Sequence, residues 1–228
     1  MLPIKNQSLV VAYLLLILSA LVWRPVWAAA PTILVMGDSL SAGYGIDLQQ
    51  GWVSLLEQRL RENNLPHQVV NASISGETTR GGLTRLPAAL KRHQPDIVIL
   101  ELGGNDGLRG LPLEILKDNL ATMIELSQQA GAQVVLMEMR IPPNYGPRYT
   151  EKFQNVYSEL AERYDLPLVS FFLTGVADNP VLMQGDGIHP RAEAQPRMLD
   201  NVWLVLEPLL EETLVKSSPA IKAGSTAL

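Results

Sequence analysis

Four short runs of small and polar residues in this 228-residue chain carry groups that could do chemistry together. Gly37-Asp38-Ser39-Leu40-Ser41-Ala42-Gly43 sets a serine in a glycine-bearing turn. Ser73-Ile74-Ser75-Gly76-Glu77-Thr78 and Gly103-Gly104-Asn105-Asp106 offer backbone N–H groups and a side-chain amide, and Asp186-Gly187-Ile188-His189-Pro190 sets a carboxylate three residues before an imidazole. A nucleophilic serine needs a base within hydrogen-bond reach, a group that orients the base, and donors for the oxyanion. Ser39 is the candidate nucleophile, His189 the base acting through Nε2, and Asp186 the acceptor from Nδ1 that holds the tautomer. The candidate oxyanion donors are the Ser39 and Gly76 N–H groups and the Asn105 amide. Glycine suits such positions because backbone approaches a substrate closely only where no Cβ intrudes.

Taken singly, each run has an ordinary structural use. A Gly-Asp-Ser after a strand is commonly a turn or a helix cap, and Asn105-Asp106 could be a simple turn. Asp38 reads as a residue that bonds backbone in its turn rather than as the base. Of the other two histidines, His67 beside Pro66 and His93 in Lys91-Arg92-His93 both read as solvent-facing. The combination of four runs, each placed just past a strand or just before the last helix, is what points to catalysis. The chain has no cysteine, which excludes disulfides, thiolate zinc sites and a cysteine nucleophile. No serine sits in G-x-S-x-G, so the nucleophile elbow of the α/β-hydrolases is absent.

The elements that must position these runs alternate along the chain. Short β-branched or aliphatic segments at 32–36, 68–72, 97–102, 133–139 and 168–172 are the expected strands, most of them apolar nearly throughout, as central strands covered on both faces are. Helical stripes are formed by Trp52, Leu55, Leu56 and Leu60, by Leu113, Leu116, Leu120, Met123 and Ile124, and by Phe153, Val156, Tyr157, Leu160 and Tyr164. A final apolar helix is expected over about 194–215, kinked at Pro208. This alternation implies an α/β sandwich around a mainly parallel sheet, whose functional loops lie beyond the carboxyl ends of the strands. Three of the four runs fall there.

The ends of the chain read differently. Lys5 precedes residues 9–23, which are apolar except Ser19, and Val26-Trp27-Ala28 follows; this is the pattern of a secretory signal cleaved after Ala28. Fifteen residues at about 1.5 Å each reach roughly 22 Å, short of a hydrocarbon core of about 30 Å. Residues 1–28 are therefore expected to be removed, residues 29–215 to form one domain, and residues 216–228 to be a disordered polar tail. Lys+Arg number 18 against 23 Asp+Glu, a formal charge of -5, which argues against general nucleic-acid binding.

The four runs, in this order, resemble the signature blocks of the GDSL esterases, the SGNH-hydrolase superfamily. The longer stretches Asn71-Ala72-Ser73-Ile74-Ser75-Gly76, Glu101 through Gly110, and Pro143-Asn144-Tyr145-Gly146 with Arg148-Tyr149 resemble its periplasmic thioesterase and lysophospholipase branch. The resemblance covers about residues 33–208, with no departure at Ser39, Gly76, Asn105 or His189; the link between Gly43 and Trp52 is longer, and the tail after Val215 is extra. It implies a three-layer, flavodoxin-like five-stranded sheet of order 2-1-3-4-5, no metal and no cofactor. It implies hydrolysis of carboxylic esters and thioesters, such as lysophospholipids, acyl-CoA and aryl esters, through an acyl-serine, with a carbohydrate O-deacetylase as the alternative. The segments 107–113 and 141–149 would wall the acyl groove, making Leu108, Leu111, Ile141 and Pro142 candidate substrate contacts. A monomer in the periplasm or secreted, with no membrane span after signal cleavage, is the expected state.

Overall fold

The computed structural model describes residues 30–217. The expected signal segment, residues 1–28, lies outside the described residues, as do residues 218–228 of the tail expected over 216–228. Five strands, Thr32–Gly37 (β1), Gln68–Asn71 (β2), Ile97–Glu101 (β3), Gln133–Met137 (β4) and Leu168–Val169 (β5), pair in the order β2-β1-β3-β4-β5, every pair parallel. The register sets Gly37 at the end of β1 beside Glu101 at the end of β3. Ile33, Leu34, Val35 and Met36 of β1 and Ile97 through Leu100 of β3 are fully buried, as central strands covered on both faces must be. Each large aliphatic side chain so buried contributes about 1.5–3 kcal/mol.

The helices are Ser39–Ala42 (α1), Trp52–Glu62 (α2), Thr79–His93 (α3), Gly104–Leu108 (α4), Leu113–Gln129 (α5), Pro147–Tyr164 (α6) and Gln195–Ser217 (α7). Helices α3, α5 and α6 pack side by side. On α2 and α7, the Gln195 Oε1 accepts from the Trp52 N–H at 3.0 Å, and Arg59 pairs with Asp200 at 2.7 Å. The result is the expected three-layer α/β arrangement. Parallel strands joined through helices bring every strand's carboxyl end to one edge, and that edge receives the loops bearing Ser39, Gly76 and Asn105.

Three local expectations change. The strand expected over 168–172 is only Leu168–Val169, and beyond it Phe171 adopts φ 32°, which a strand does not permit. Helix α3 has no counterpart among the stripes read from the sequence. It contains Pro87, and is held instead by the Thr78 cap and by burial of Leu86 and Leu90. His67, expected to face solvent, is buried, with Nε2 2.7 Å from the Thr213 hydroxyl of α7. Helix α7 runs through Pro208 to Ser217, and among the described residues no helix is long and apolar enough to cross a membrane.

Candidate active site

Ser39 opens α1 where β1 ends. Asp38 caps that short helix, its Oδ1 accepting from the Leu40 N–H at 3.0 Å, and the helix closes at Gly43 with φ 71°. So tight a turn lifts the serine off the end of the strand. Beneath it, Glu101 Oε2 accepts from the Asp38 N–H at 3.1 Å and from the Ser41 hydroxyl at 2.7 Å, and Ser41 Oγ accepts from Trp52 Nε1 at 3.2 Å. The turn bearing Ser39 therefore rests on a buried polar floor supplied by β3 and α2.

Asp186 and His189 share one turn. The Asp186 Oδ1 accepts from the backbone N–H groups of Ile188 and His189 at 2.9 and 3.0 Å, while Oδ2 accepts from His189 Nδ1 at 2.7 Å. With Nδ1 donating, Nε2 is left to accept, and it lies 2.9 Å from Ser39 Oγ. The structure thus brings Ser39, His189 and Asp186 into one line of hydrogen bonds. The backbone N–H of His189, then its side chain, then the Ile188 N–H hold the Asp186 carboxyl down at about 2.

Asn105 projects from α4, and its Nδ2 donates to Asp38 Oδ2 at 2.9 Å. One of its two N–H bonds is thereby fixed, leaving the other for a substrate oxygen. Gly76 has φ 79°, a conformation favouring glycine, and its carbonyl accepts from Arg109 Nη2 at 2.9 Å. Arg109 caps the C-terminus of α4, so the loop bearing Gly76 is tied to the helix that bears Asn105. At Gly103, just before α4, a Cβ would collide with the Tyr157 hydroxyl that donates to the Leu102 carbonyl at 3.0 Å.

Two buried acids beside Ser39 are perturbed. Burial raises the Asp38 carboxyl to about 6, against the lowering effect of the Leu40 N–H and the Asn105 amide. Burial also pushes Glu101 well above the ordinary range, and the neighbouring Asp38 adds to it. Glu101 Oε1 has no hydrogen-bond partner. A neutral acid there is the state such a site favours. Among the described residues, no group of three or more His, Asp or Glu is placed to hold a metal ion.

A cavity of about 740 Å³ opens beside these groups; Ser39, Asn105 and His189 are in its wall. Of the candidate substrate contacts, Leu108, Ile141 and Pro142 line it, whereas Leu111 does not and instead offers its carbonyl to the Tyr149 hydroxyl at 3.2 Å. A wall absent from the sequence expectation comes from the loop after β5, with Phe171, Leu173 and Ala177. The signal for it was available: this loop also follows the carboxyl end of a strand, but its apolar start reads as a longer strand. Arg140 crosses the cavity wall with its guanidinium 4.6 Å from the Phe171 ring and its Nε on Glu138 Oε1 at 2.8 Å.

Residues 35–196 match the model of the GDSL-like Lipase/Acylhydrolase family. Esterase TesA of Pseudomonas aeruginosa is 53% identical over 191 residues, covering 84% of this chain and 95% of that protein. Thioesterase 1/protease 1/lysophospholipase L1 of Escherichia coli K12 is 46% identical over 183 residues, covering 80% and 86%. The crystal structure of the psychrotrophic esterase EstA from Pseudoalteromonas sp., inhibited by monoethylphosphonate, is 42% identical and superposes with a TM-score of 0.76 over 79% of this chain and 98% of that one.

Proposed function

We propose that this chain, which belongs to the GDSL-like lipase/acylhydrolase family and is an esterase and thioesterase, works through Ser39 as nucleophile, His189 as general base and acid, and Asp186 as the orienter of His189. The observation that carries the assignment is the pair of contacts at His189, Nε2 to Ser39 Oγ at 2.9 Å and Nδ1 to Asp186 Oδ2 at 2.7 Å. The first is within reach for proton transfer, and the second holds the imidazole in the tautomer that leaves Nε2 free to accept.

In the first step Ser39 Oγ attacks the acyl carbon while His189 Nε2 takes the hydroxyl proton, and the carbonyl π pair moves onto oxygen. The Ser39 and Gly76 N–H groups and Asn105 Nδ2 receive that charge; losing one such donor typically costs about 2.7–4 kcal/mol of transition-state stabilisation. The tetrahedral species collapses as His189 returns the proton to the leaving oxygen or sulfur, freeing alcohol or thiol and leaving an acyl-serine. Water then repeats the sequence, giving its proton to Nε2, and Ser39 leaves protonated with release of the acid.

The acyl chain would lie in the cavity along Leu108, Ile141, Pro142 and Phe171. Lysophospholipids and simple esters are the substrates that fit an exported enzyme, and export itself is supported by the signal pattern of residues 1–28. The working unit would be a monomer in the periplasm or outside the cell, since Ser39, His189, Asp186, Gly76 and Asn105 all come from one chain. The O-deacetylase alternative gains nothing from the relatives, which are named for esters, thioesters and lysophospholipids.

A fluorophosphonate probe tests the assignment directly. It should label Ser39 in the native protein and leave Ser39→Ala unlabelled, with ester turnover lost in parallel. A folded wild-type protein whose Ser39 escapes the probe would overturn it.

A further inference from the structure

Ser39 comes from one loop, and Asp186 and His189 come from another. Residues 182–191 form a hairpin whose neck is closed by the Arg191 N–H on the Leu182 carbonyl at 2.7 Å and by the antiparallel bridge of Met183 with Pro190. Asp186 and His189 occupy its turn. Gln184 lies in its first arm, with its N–H on the His189 carbonyl at 2.7 Å and its own carbonyl accepting from the Gly187 N–H at 3.0 Å.

The side chain of Gln184 leaves the hairpin. Its Nε2 donates to the Pro190 carbonyl at 3.0 Å and to the Tyr44 carbonyl, in the nucleophile loop, at 2.8 Å. The Tyr44 N–H in turn donates to the Ser39 carbonyl at 3.1 Å. A continuous run of hydrogen bonds therefore leads from Ser39 through Tyr44 and Gln184 to His189, away from the reacting atoms. The Tyr44 ring closes the same junction from outside, its centroid 4.4 Å from that of the His189 imidazole. Gly45 belongs to the fit as well, because a Cβ there would run into Gln184 Oε1.

We propose that Gln184 is a positioning residue for ester hydrolysis: its side-chain amide clasps the hairpin carrying Asp186 and His189 to the loop carrying Ser39 and so sets the distance from Nε2 to Oγ. Gln184 touches no reacting atom, and is absent from the wall of the acyl cavity. The Asp186–His189 bond lies inside the hairpin and does not depend on the clasp. Only the span between the two loops does, and a misplacement on the order of 1 Å at a reacting pair costs roughly a hundredfold in rate. The inference rests on the catalytic assignment of Ser39 and His189 above.

Gln184→Ala and Gln184→Glu are the variants to make, the second keeping the size of the side chain while setting a carboxylate against two carbonyl oxygens. Each is expected to lower kcat by roughly ten- to a hundredfold, with KM within about threefold of wild type, and to slow phosphonylation of Ser39 by the same factor. In both, the low-field proton resonance of His189 Nδ1–H should persist, because Asp186 still holds the ring. A kcat within about threefold of wild type in Gln184→Glu overturns the proposal, as does a rise in KM at constant kcat, which would make Gln184 a substrate contact. Loss of the low-field resonance also overturns it, since Gln184 would then shape the hairpin rather than its distance from Ser39. Ser39→Ala, run alongside, reports on the catalytic assignment separately: turnover that survives there refutes that assignment, whatever Gln184 does.

Discussion

Asp38 and Asn105 meet across the end of the sheet, the side-chain amide of one donating to the carboxyl of the other at 2.9 Å. The residue immediately before Ser39, the proposed nucleophile, thereby aims a proposed oxyanion donor. Helix cap and amide anchor are one carboxyl, since Oδ1 receives the Leu40 N–H while Oδ2 receives Asn105.

Asp38→Ala should therefore act on kcat. Freeing the Asn105 amide and uncapping α1 together are expected to lower kcat by roughly a hundredfold, on the scale of losing one oxyanion donor, with a smaller change in KM. Steady-state kinetics with a short-chain aryl ester measures this. A variant with wild-type kcat would remove Asp38 from the arrangement.

The same carboxyl gives stability a pH dependence. Its folded value is raised from 3.8 to about 6, chiefly by burial, so its contribution is fully present below about 3.8 and is lost as pH rises towards 6. Urea denaturation of wild type and Asp38→Asn at several pH values should show wild type losing stability relative to the variant across that window, then a constant difference above it. A difference that grows with pH in the opposite direction would mean the buried carboxyl is held as the anion.

Asp186 behaves in the reverse sense. Held at about 2, it stays ionised through the range where such an enzyme works, and its stabilising contribution, present above 3.8, is lost only as pH falls through about 2. A limb in the activity profile between pH 4 and 8 must then come from another group. Asp186→Asn should cut kcat by about 10⁴, the loss expected when the orienting carboxylate is replaced and the imidazole takes the wrong tautomer. A loss of less than about tenfold would show that the backbone alone orients His189.

Glu101 separates charge from hydrogen bonding. Burial raises the Glu101 carboxyl well above its ordinary value and so favours the neutral acid, and Glu101→Gln should preserve an acceptor for the Asp38 N–H and the Ser41 hydroxyl and leave stability and activity close to wild type. Glu101→Leu strands both donors and should cost about 1–3 kcal/mol in urea unfolding for each one left unsatisfied. Equal damage from both substitutions would indicate an ionised Glu101.

The acyl wall is tested by filling it. Leu108→Trp should depress kcat/KM for long-chain esters at least about tenfold more than for acetate, because loss of room for one or more methylenes costs about 1–3 kcal/mol. A panel of p-nitrophenyl esters of increasing chain length measures the ratio. A uniform loss across the panel would place the long chain elsewhere.

How much of this was legible in the sequence depended on whether the information was local. β1, β3 and β4 are uninterrupted apolar runs with no alternative placement, and the loops bearing Ser39, Gly76 and Asn105 follow β1, β2 and β3 at once. Asp186 and His189 were legible because three residues of spacing let one turn join them. Helix α3 was not, since Gly81, Gly82 and Pro87 weaken its local propensity and its stability comes from packing of Leu86 and Leu90. The wall at Phe171 was hidden because a left-handed residue cannot be told from strand by its hydrophobicity. Glu101 and Gln184 reach the loop bearing Ser39 from 60 and 140 positions away, which no periodicity or spacing reveals.

The short turn joining Asp186 to His189 also has a consequence for exchange between relatives. Asp186 and His189, the proposed orienter and base, travel together on one hairpin, so grafting residues 182–191 into another member of the family would transplant both at once. What the recipient must then supply is only the seam: an amide, or its equivalent, at the right height to meet the serine loop. Chimeras that keep the hairpin but mismatch that seam will carry a correctly built imidazole aimed at the wrong place.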